Sequence, residues 1–285
     1  MRRATAMAVV LLLALAAVPA AAASSSDVAA LQVALRARGL YAGTVDGVPG
    51  PRTSAAVVAF QRRAGLVADG IAGPMTRRAL GRRGRPWLGH RVLHAPERGW
   101  DAAALQYLLG RMGFPSGPVD GILGPRADAA LRRFQAWAGL TADGLAGPAT
   151  IAALRRAPPR SPLRFAWPLR APVGDGFGPR GDMVHTGIDF EAAAGARVGA
   201  AGRGCVASAG WSAGGYGNLV VVRHRLGMTS WYAHLSSIAV RPGRCLTAGD
   251  RIGRVGATGR ATGPHLHFEL RLRGAAVDPR TGGVG

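Results

Sequence analysis

The sequence predicts a multidomain chain: two small all-α domains of three helices each, followed by an all-β domain. Three observations carry this. Residues 31–80 match residues 105–154 at a constant offset of 74, without a gap, and such a register marks a duplicated module. Within each copy, apolar residues recur at helical spacing between Gly-Pro pairs. From about Phe165 onward the texture changes to short apolar runs punctuated by glycine, the pattern of strands. A length of 285 residues suits two or three domains.

The N-terminus is read separately. Arg2 and Arg3 precede an uncharged apolar stretch from Ala4 to Val18, then Pro19 and a run of small residues ending at Ser26. That order describes a secretory signal peptide over residues 1–23. Its apolar core is shorter than the roughly 20 residues a membrane span needs. No cysteine follows it to carry a lipid, and no other segment is long and apolar enough to cross a bilayer. An extracytoplasmic protein with no membrane span after signal removal is expected.

The two helical copies are expected over 27–81 and 88–156. Leu31 and Leu35 face one way on the first helix, as do Leu105 and Leu109 in the second copy. Gly50-Pro51 and Gly124-Pro125 put proline in the first turn of the second helix. That helix carries Val57 and Phe60 in one copy, Leu131 and Phe134 in the other. Gly73-Pro74 and Gly147-Pro148 open a short third helix ending at Leu80 or Leu154. The tripeptides Val45-Asp46-Gly47, Ala68-Asp69-Gly70 and their counterparts at 119–121 and 142–144 are turns. The run Arg155 to Pro162 is rich in proline and reads as an extended, semi-rigid spacer, with a linker at 157–164.

These repeated residues resemble a known module. The pattern LQ…VDGxxGP…FQ…GLxADGxxGPxT, present twice, is similar to the small three-helix peptidoglycan-binding domain. It departs only slightly, at Ala127, where the first copy has Thr53. The resemblance implies peptidoglycan as the partner, while most of the repeated positions themselves read as core and turns.

The net charge of +21 comes with no lysine at all; all 36 basic residues are arginine. The sign favours an acidic polymer as partner. The arginines are scattered, without an aromatic-interleaved basic patch, so nucleic acid is not expected. For an exported protein the acidic cell wall is the expected polymer. A monomer is expected. The only cysteines are Cys205 and Cys245; they either bond to each other or stay as buried thiols. A bond between them would close a loop of about 40 residues, adding roughly 4 kcal/mol in the chain-entropy treatment.

In the C-terminal domain, expected over 165–285, the strand candidates are Gly204–Val206, Leu219–Val222, Trp231–His234, Arg251–Val255 and Pro264–Leu270. Alternation along the last puts His265, His267 and Glu269 on one face and Leu266, Phe268 and Leu270 on the other. His185 and Asp189, in HTGID, lie four residues apart around a glycine. Two imidazoles and a carboxylate with a further position open is how catalytic zinc is usually held. One of the two strand histidines can bind a metal while the other stands beside it. Glu269 reads either as a partner that orients a histidine or as a strand-surface carboxylate. His224 reads as a surface or strand-end residue; His90 and His94 read as structural.

The set FGPR…HTGIDF…GGYGN…WYAHL…GATGRATGPHLHFEL is similar to the lysostaphin-type (LytM-like) zinc endopeptidases of bacterial cell walls, over about residues 165–279. The resemblance implies an antiparallel β-sheet metallopeptidase domain holding Zn2+ through His185, Asp189 and His267, with His234 and His265 as catalytic histidines. Ala257 and Ala261 stand where serine is frequent in the family, away from every one of these roles. The implied function is a secreted or wall-associated zinc endopeptidase that hydrolyses peptide bonds in peptidoglycan stems or cross-links and is targeted by tandem binding modules. The alternative is a non-catalytic wall-bound adaptor that activates another peptidoglycan hydrolase; the complete ligand set favours the enzyme.

Overall fold

A computed structural model describes residues 25–282. The signal segment expected over 1–23 lies outside the described residues. Each repeat forms its expected helices. The first contains α1 (Ser26–Arg36), α2 (Pro51–Arg63) and α3 (Pro74–Ala79); the second contains α4 (Trp100–Arg111), α5 (Pro125–Trp137) and α6 (Pro148–Leu154). Four of the six open on proline, whose missing N–H costs nothing in a first turn. α1 is capped instead by Ser25, which accepts a hydrogen bond from the Val28 amide at 3.1 Å.

The repeated glutamines are buried and tie each helix to an aspartate of the turn that follows it. Gln32 donates to Asp46 Oδ1 at 2.7 Å and accepts from the Gly47 amide at 3.0 Å; Gln106 does the same to Asp120 at 2.9 Å and Gly121 at 2.7 Å. Gln61 with Asp69, and Gln135 with Asp143, repeat the device at the second turn. α1 packs against α4, and one continuous apolar core runs through both copies, including Leu35, Phe60, Leu105, Leu109 and Phe134.

The C-terminal half is built of antiparallel strands, as expected. After a two-residue pair in the helical region, β1 (Glu97–Arg98) with β2 (Ile122–Leu123), the strands run as follows. A hairpin of β3 (Gly178–Arg180) and β4 (Met183–His185) leads into β5 (Ile188–Glu191), β6 (Arg197–Gly199), β7 (Gly204–Ser212), β8 (Gly217–Arg223) and β9 (Met228–Ala233). Then come β10 (Leu235–Ile238), β11 (Cys245–Leu246), β12 (Arg251–Val255), β13 (His265–Leu272) and β14 (Ala275–Val277). The main sheet has the order β11-β7-β8-β9-β13-β14, with β5 also paired to β13; a smaller sheet has the order β10-β12-β6.

The period-two alternation of β13 holds. Leu266, Phe268 and Leu270 are fully buried in the core between the sheets, with Ile188, Val220, Tyr232 and Ile252. The opposite face carries the histidines. Cys205 and Cys245 are directly opposed on β7 and β11 and form a disulfide. His224 directly follows β8, at the strand end as expected, but it is not on the surface. It is buried at 7% exposure, with Nδ1 on the Arg203 carbonyl at 2.8 Å and Nε2 on Ser230 Oγ at 2.8 Å. His94 lies exposed, its Nε2 3.3 Å from Glu97.

Candidate metal centre

The strand register brings the site together. On β13, His267 is opposite Asp189 of β5 on one side and opposite Ala233 of β9 on the other. Asp189 and His267 are therefore neighbours by pairing, and His234 follows directly after Ala233. His234 takes a left-handed backbone, φ 59°, which turns its ring over the end of the sheet. His185 ends β4, and the chain reaches Asp189 through Gly187. A Cβ at Gly187 would run into the carbonyl oxygen of Phe268, so the glycine of HTGID lets the chain pass close to β13.

Three atoms converge. Asp189 Oδ1 lies 3.2 Å from His185 Nε2 and 2.7 Å from His267 Nδ1, and the two ring nitrogens are 3.0 Å apart. The far nitrogens are tied. His185 Nδ1 donates to the Gly176 carbonyl at 2.7 Å, and His267 Nε2 donates to Glu269 Oε1 at 2.9 Å. Each tie places the proton on the outer nitrogen and a lone pair on the inner one. Two lone pairs and a carboxylate oxygen then point at one another from hydrogen-bond distance, an arrangement that a bound cation satisfies in place of a shared proton. Two imidazoles, one carboxylate and ligating nitrogens backed by outer partners are the donor set of a zinc site. These residues fit the ion.

The electrostatics agree. Burial alone would push the Asp189 carboxyl up, but bonds from His185 and His267 outweigh it and hold the group well below the usual carboxylate range. Burial lowers His267, yet Asp189 and Glu269 together raise it to about 9. The centre attracts positive charge.

Glu269 is fully buried beneath the site, which decides between the two readings of its strand position. Besides His267 it accepts from Thr186 Oγ1 at 2.5 Å and Tyr216 OH at 2.9 Å on Oε1, and from Arg271 Nε at 2.6 Å on Oε2. Burial raises this carboxyl, but the Arg271 charge and the His267 bond outweigh it and hold it at about 2. Burial in turn pushes the Tyr216 phenol up to about 12, with Glu269 adding to it. Thr186, Tyr216 and Arg271 were not singled out in the sequence. Arg271 continues the alternation from His267 and Glu269, so the period-two rule could have found it.

His234 and His265 flank the three ligand candidates. Their rings are 4.7 Å apart, and His234 lies 5.9 Å from the His267 ring. His234 Nδ1 donates to the Thr258 carbonyl at 2.7 Å, leaving Nε2 free to face the cleft. Burial lowers its pKa, only partly offset by the Thr258 bond, so it is uncharged at neutral pH. His265 Nδ1 donates to the Gly263 carbonyl at 2.9 Å, with Nε2 4.0 Å from Asp189 Oδ1. All five residues line one open cleft of about 900 Å3. Arg180 reaches into it, 2.6 Å from Asp175 and 3.5 Å from Asp189.

Residues 183–279 match the profile of peptidase family M23. The C-terminal domain belongs to that family. Residues 24–80 and 98–154 match the profile described as "Putative peptidoglycan binding domain". The chain is similar to known proteins over part of its length. Over 96 residues it is 47% identical to the DD-carboxypeptidase/endopeptidase Mpg of Neisseria meningitidis serogroup B, covering 34% of this chain and 22% of that protein. Over 129 residues it is 37% identical to the peptidoglycan DD-endopeptidase ShyC of Vibrio cholerae, covering 43% of this chain and 28% of that protein. The chain thus spans less than a third of the length of either relative. Among solved structures, the catalytic domain of lysostaphin from Staphylococcus simulans is 38% identical over 39% of this chain and 90% of that domain, with a TM-score of 0.37.

Proposed function

We propose that the protein is an exported zinc endopeptidase that hydrolyses peptide bonds in peptidoglycan stems or cross-links, held on its polymer by the two helical modules. One observation carries the reading: His185 Nε2, Asp189 Oδ1 and His267 Nδ1 converge with their outer nitrogens already tied, beside two further histidines in one cleft. The tandem modules add effective concentration on an insoluble substrate. The N-terminal signal-like pattern and the Cys205–Cys245 bond support an oxidising, extracytoplasmic setting. No helix among the described residues is long and apolar enough to cross a membrane.

His185, Asp189 and His267 would hold the ion. Zinc bound there supplies a Lewis acid for the scissile carbonyl and brings the pKa of a bound water down to about 7. The chain's own residues do the rest. His234, uncharged and anchored through Nδ1, accepts a proton at Nε2. The proton taken up at His234 Nε2 is the one passed on to the departing amine, and His265, its ring 4.7 Å away, stands beside that transfer to orient the reacting groups. Glu269 keeps the His267 ring oriented by holding the proton of its outer nitrogen, so that the inner nitrogen is the one turned to the ion.

The test is digestion of purified peptidoglycan by the mature protein, with and without chelator, with fragments identified by mass spectrometry. New termini within stem or cross-link peptides are expected, lost with chelator and restored by zinc. Wall binding without any cleavage would overturn the reading in favour of the adaptor.

A further inference from the structure

The two repeats meet the M23 domain at a place that a flexible tether would not choose. The amide of Val45 donates to the Gly181 carbonyl at 2.8 Å, and the amide of Val119 donates to the Asp182 carbonyl at 2.7 Å. Val45 and Val119 are the same position of the repeat, 74 residues apart, each opening its Val-Asp-Gly turn. Gly181 and Asp182 are consecutive residues at the tip of the β3–β4 hairpin. One copy of the module therefore grips each of two neighbouring carbonyls, and the hairpin sits between the copies. Both valines are buried, and both turns are locked from behind by Gln32 and Gln106. Arg36 lies 3.8 Å from Asp182 beside this contact.

The hairpin so held is the one that ends in His185 and carries Arg180 into the cleft. A second contact reaches the other ligand strand. The amide of Ala276 donates to the Gly113 carbonyl at 3.0 Å, and the Trp137 indole donates to the Leu272 carbonyl, the last residue of β13, at 3.1 Å. Ala275 packs into the helical core itself. The close fit continues along α4, where a Cβ on Gly110 would lie 2.6 Å from Val184 Cγ2.

We infer that the helical pair is a positioning element of the catalytic cleft: by clamping the β3–β4 hairpin through the equivalent amides of Val45 and Val119, it sets the His185 wall against the His267 strand. This rests on the reading of His185, Asp189 and His267 as the zinc ligands. Coupling between two sites is reciprocal, so a metal held by His185 steadies the hairpin and thereby the Val45 and Val119 hydrogen bonds in the other domain.

Hydrogen exchange of the full mature chain tests this in the unmodified protein. Removing zinc with chelator should speed exchange at the Val45 and Val119 amides about ten-fold, within the range usual for coupled sites, and zinc should restore it. Exchange at those amides unchanged by zinc, or as fast as in exposed turns when zinc is bound, overturns the proposal. A second arm uses Gly110→Leu, which wedges α4 from Val184. With helical circular dichroism and wall binding retained, its kcat on a short soluble stem peptide should fall on the order of a hundred-fold, as an ångström of misplacement does. KM should change little, and the visible spectrum of the cobalt-substituted protein should shift. Freed Val45 and Val119 amides with wild-type kcat and spectrum would also overturn it. If Gly110→Leu does not fold, the zinc-dependent exchange decides alone. Failure of the functional reading looks different: the wild-type chain then neither binds zinc nor cleaves peptidoglycan, and both proposals fall.

Discussion

His267 and Glu269 stand two residues apart on one strand and are joined by a 2.9 Å bond from Nε2 to Oε1. The bond is short because alternation puts both side chains on the same face, and it is protected because Glu269 has no exposed surface. It leaves His267 Nδ1 as the inner donor atom, 2.7 Å from Asp189.

Glu269→Gln should therefore weaken the site without removing a ligand. Outer partners of metal-bound histidines typically govern metal affinity by about 10- to 100-fold. A loss of that size in zinc affinity is expected, measured by competition with a chromogenic chelator. Unchanged affinity would remove Glu269 from the centre.

His234→Ala separates binding from chemistry. The ring touches none of the three ligand candidates at hydrogen-bond distance, and its anchor is the Thr258 carbonyl. Zinc content should stay at the wild-type value, while cleavage falls by about 100- to 10,000-fold, the usual contribution of a general acid or base. Metal analysis beside a cleavage assay checks both halves.

Gly187→Ala should disrupt the approach of β5 to β13, because the new methyl meets the backbone oxygen of Phe268, which has no freedom to turn away. A lower melting temperature and weaker zinc binding are expected together. A variant as stable and as tight as wild type would contradict the described crossing.

His224 supplies a pH test remote from the metal. Burial lowers its pKa below 6.5, only partly opposed by the Arg203 carbonyl. Below pH 6.5 the unfolded chain then binds more protons than the folded one, so stability rises with pH in that window. The His224 contribution is complete above 6.5, declines as pH falls through it and levels off below the folded value. Thermal melts of wild type and His224→Gln from neutral to acidic pH should show the wild type losing ground relative to the variant. Parallel curves would contradict the assignment.

Much of this molecule was legible in its sequence because the signals were periodic. A gapless repeat exposed the helical copies, and alternation along β13 put His265, His267 and Glu269 on one face. The structure brings His185, Asp189 and His267 to one point. Other features depend on tertiary packing. Whether Glu269 faced water or a buried network turned on Tyr216 and Thr186 closing over it from distant segments. His224 is buried because Phe165 and Ser230 pack against it. The contact of Val45 and Val119 with the hairpin tip was least legible of all, since backbone amides and carbonyls leave no mark in side-chain patterns. The proline-rich run at 157–164 reads as a spacer, yet the modules it follows are packed directly on the M23 domain.

The central claim is zinc-dependent cleavage through the His185, Asp189 and His267 set. Its most direct measurement is the rate at which His267→Ala, folded and wall-bound, cleaves purified peptidoglycan beside the wild-type chain. Loss of zinc and of all wall-peptide cleavage is the predicted result; cleavage at the wild-type rate would contradict it.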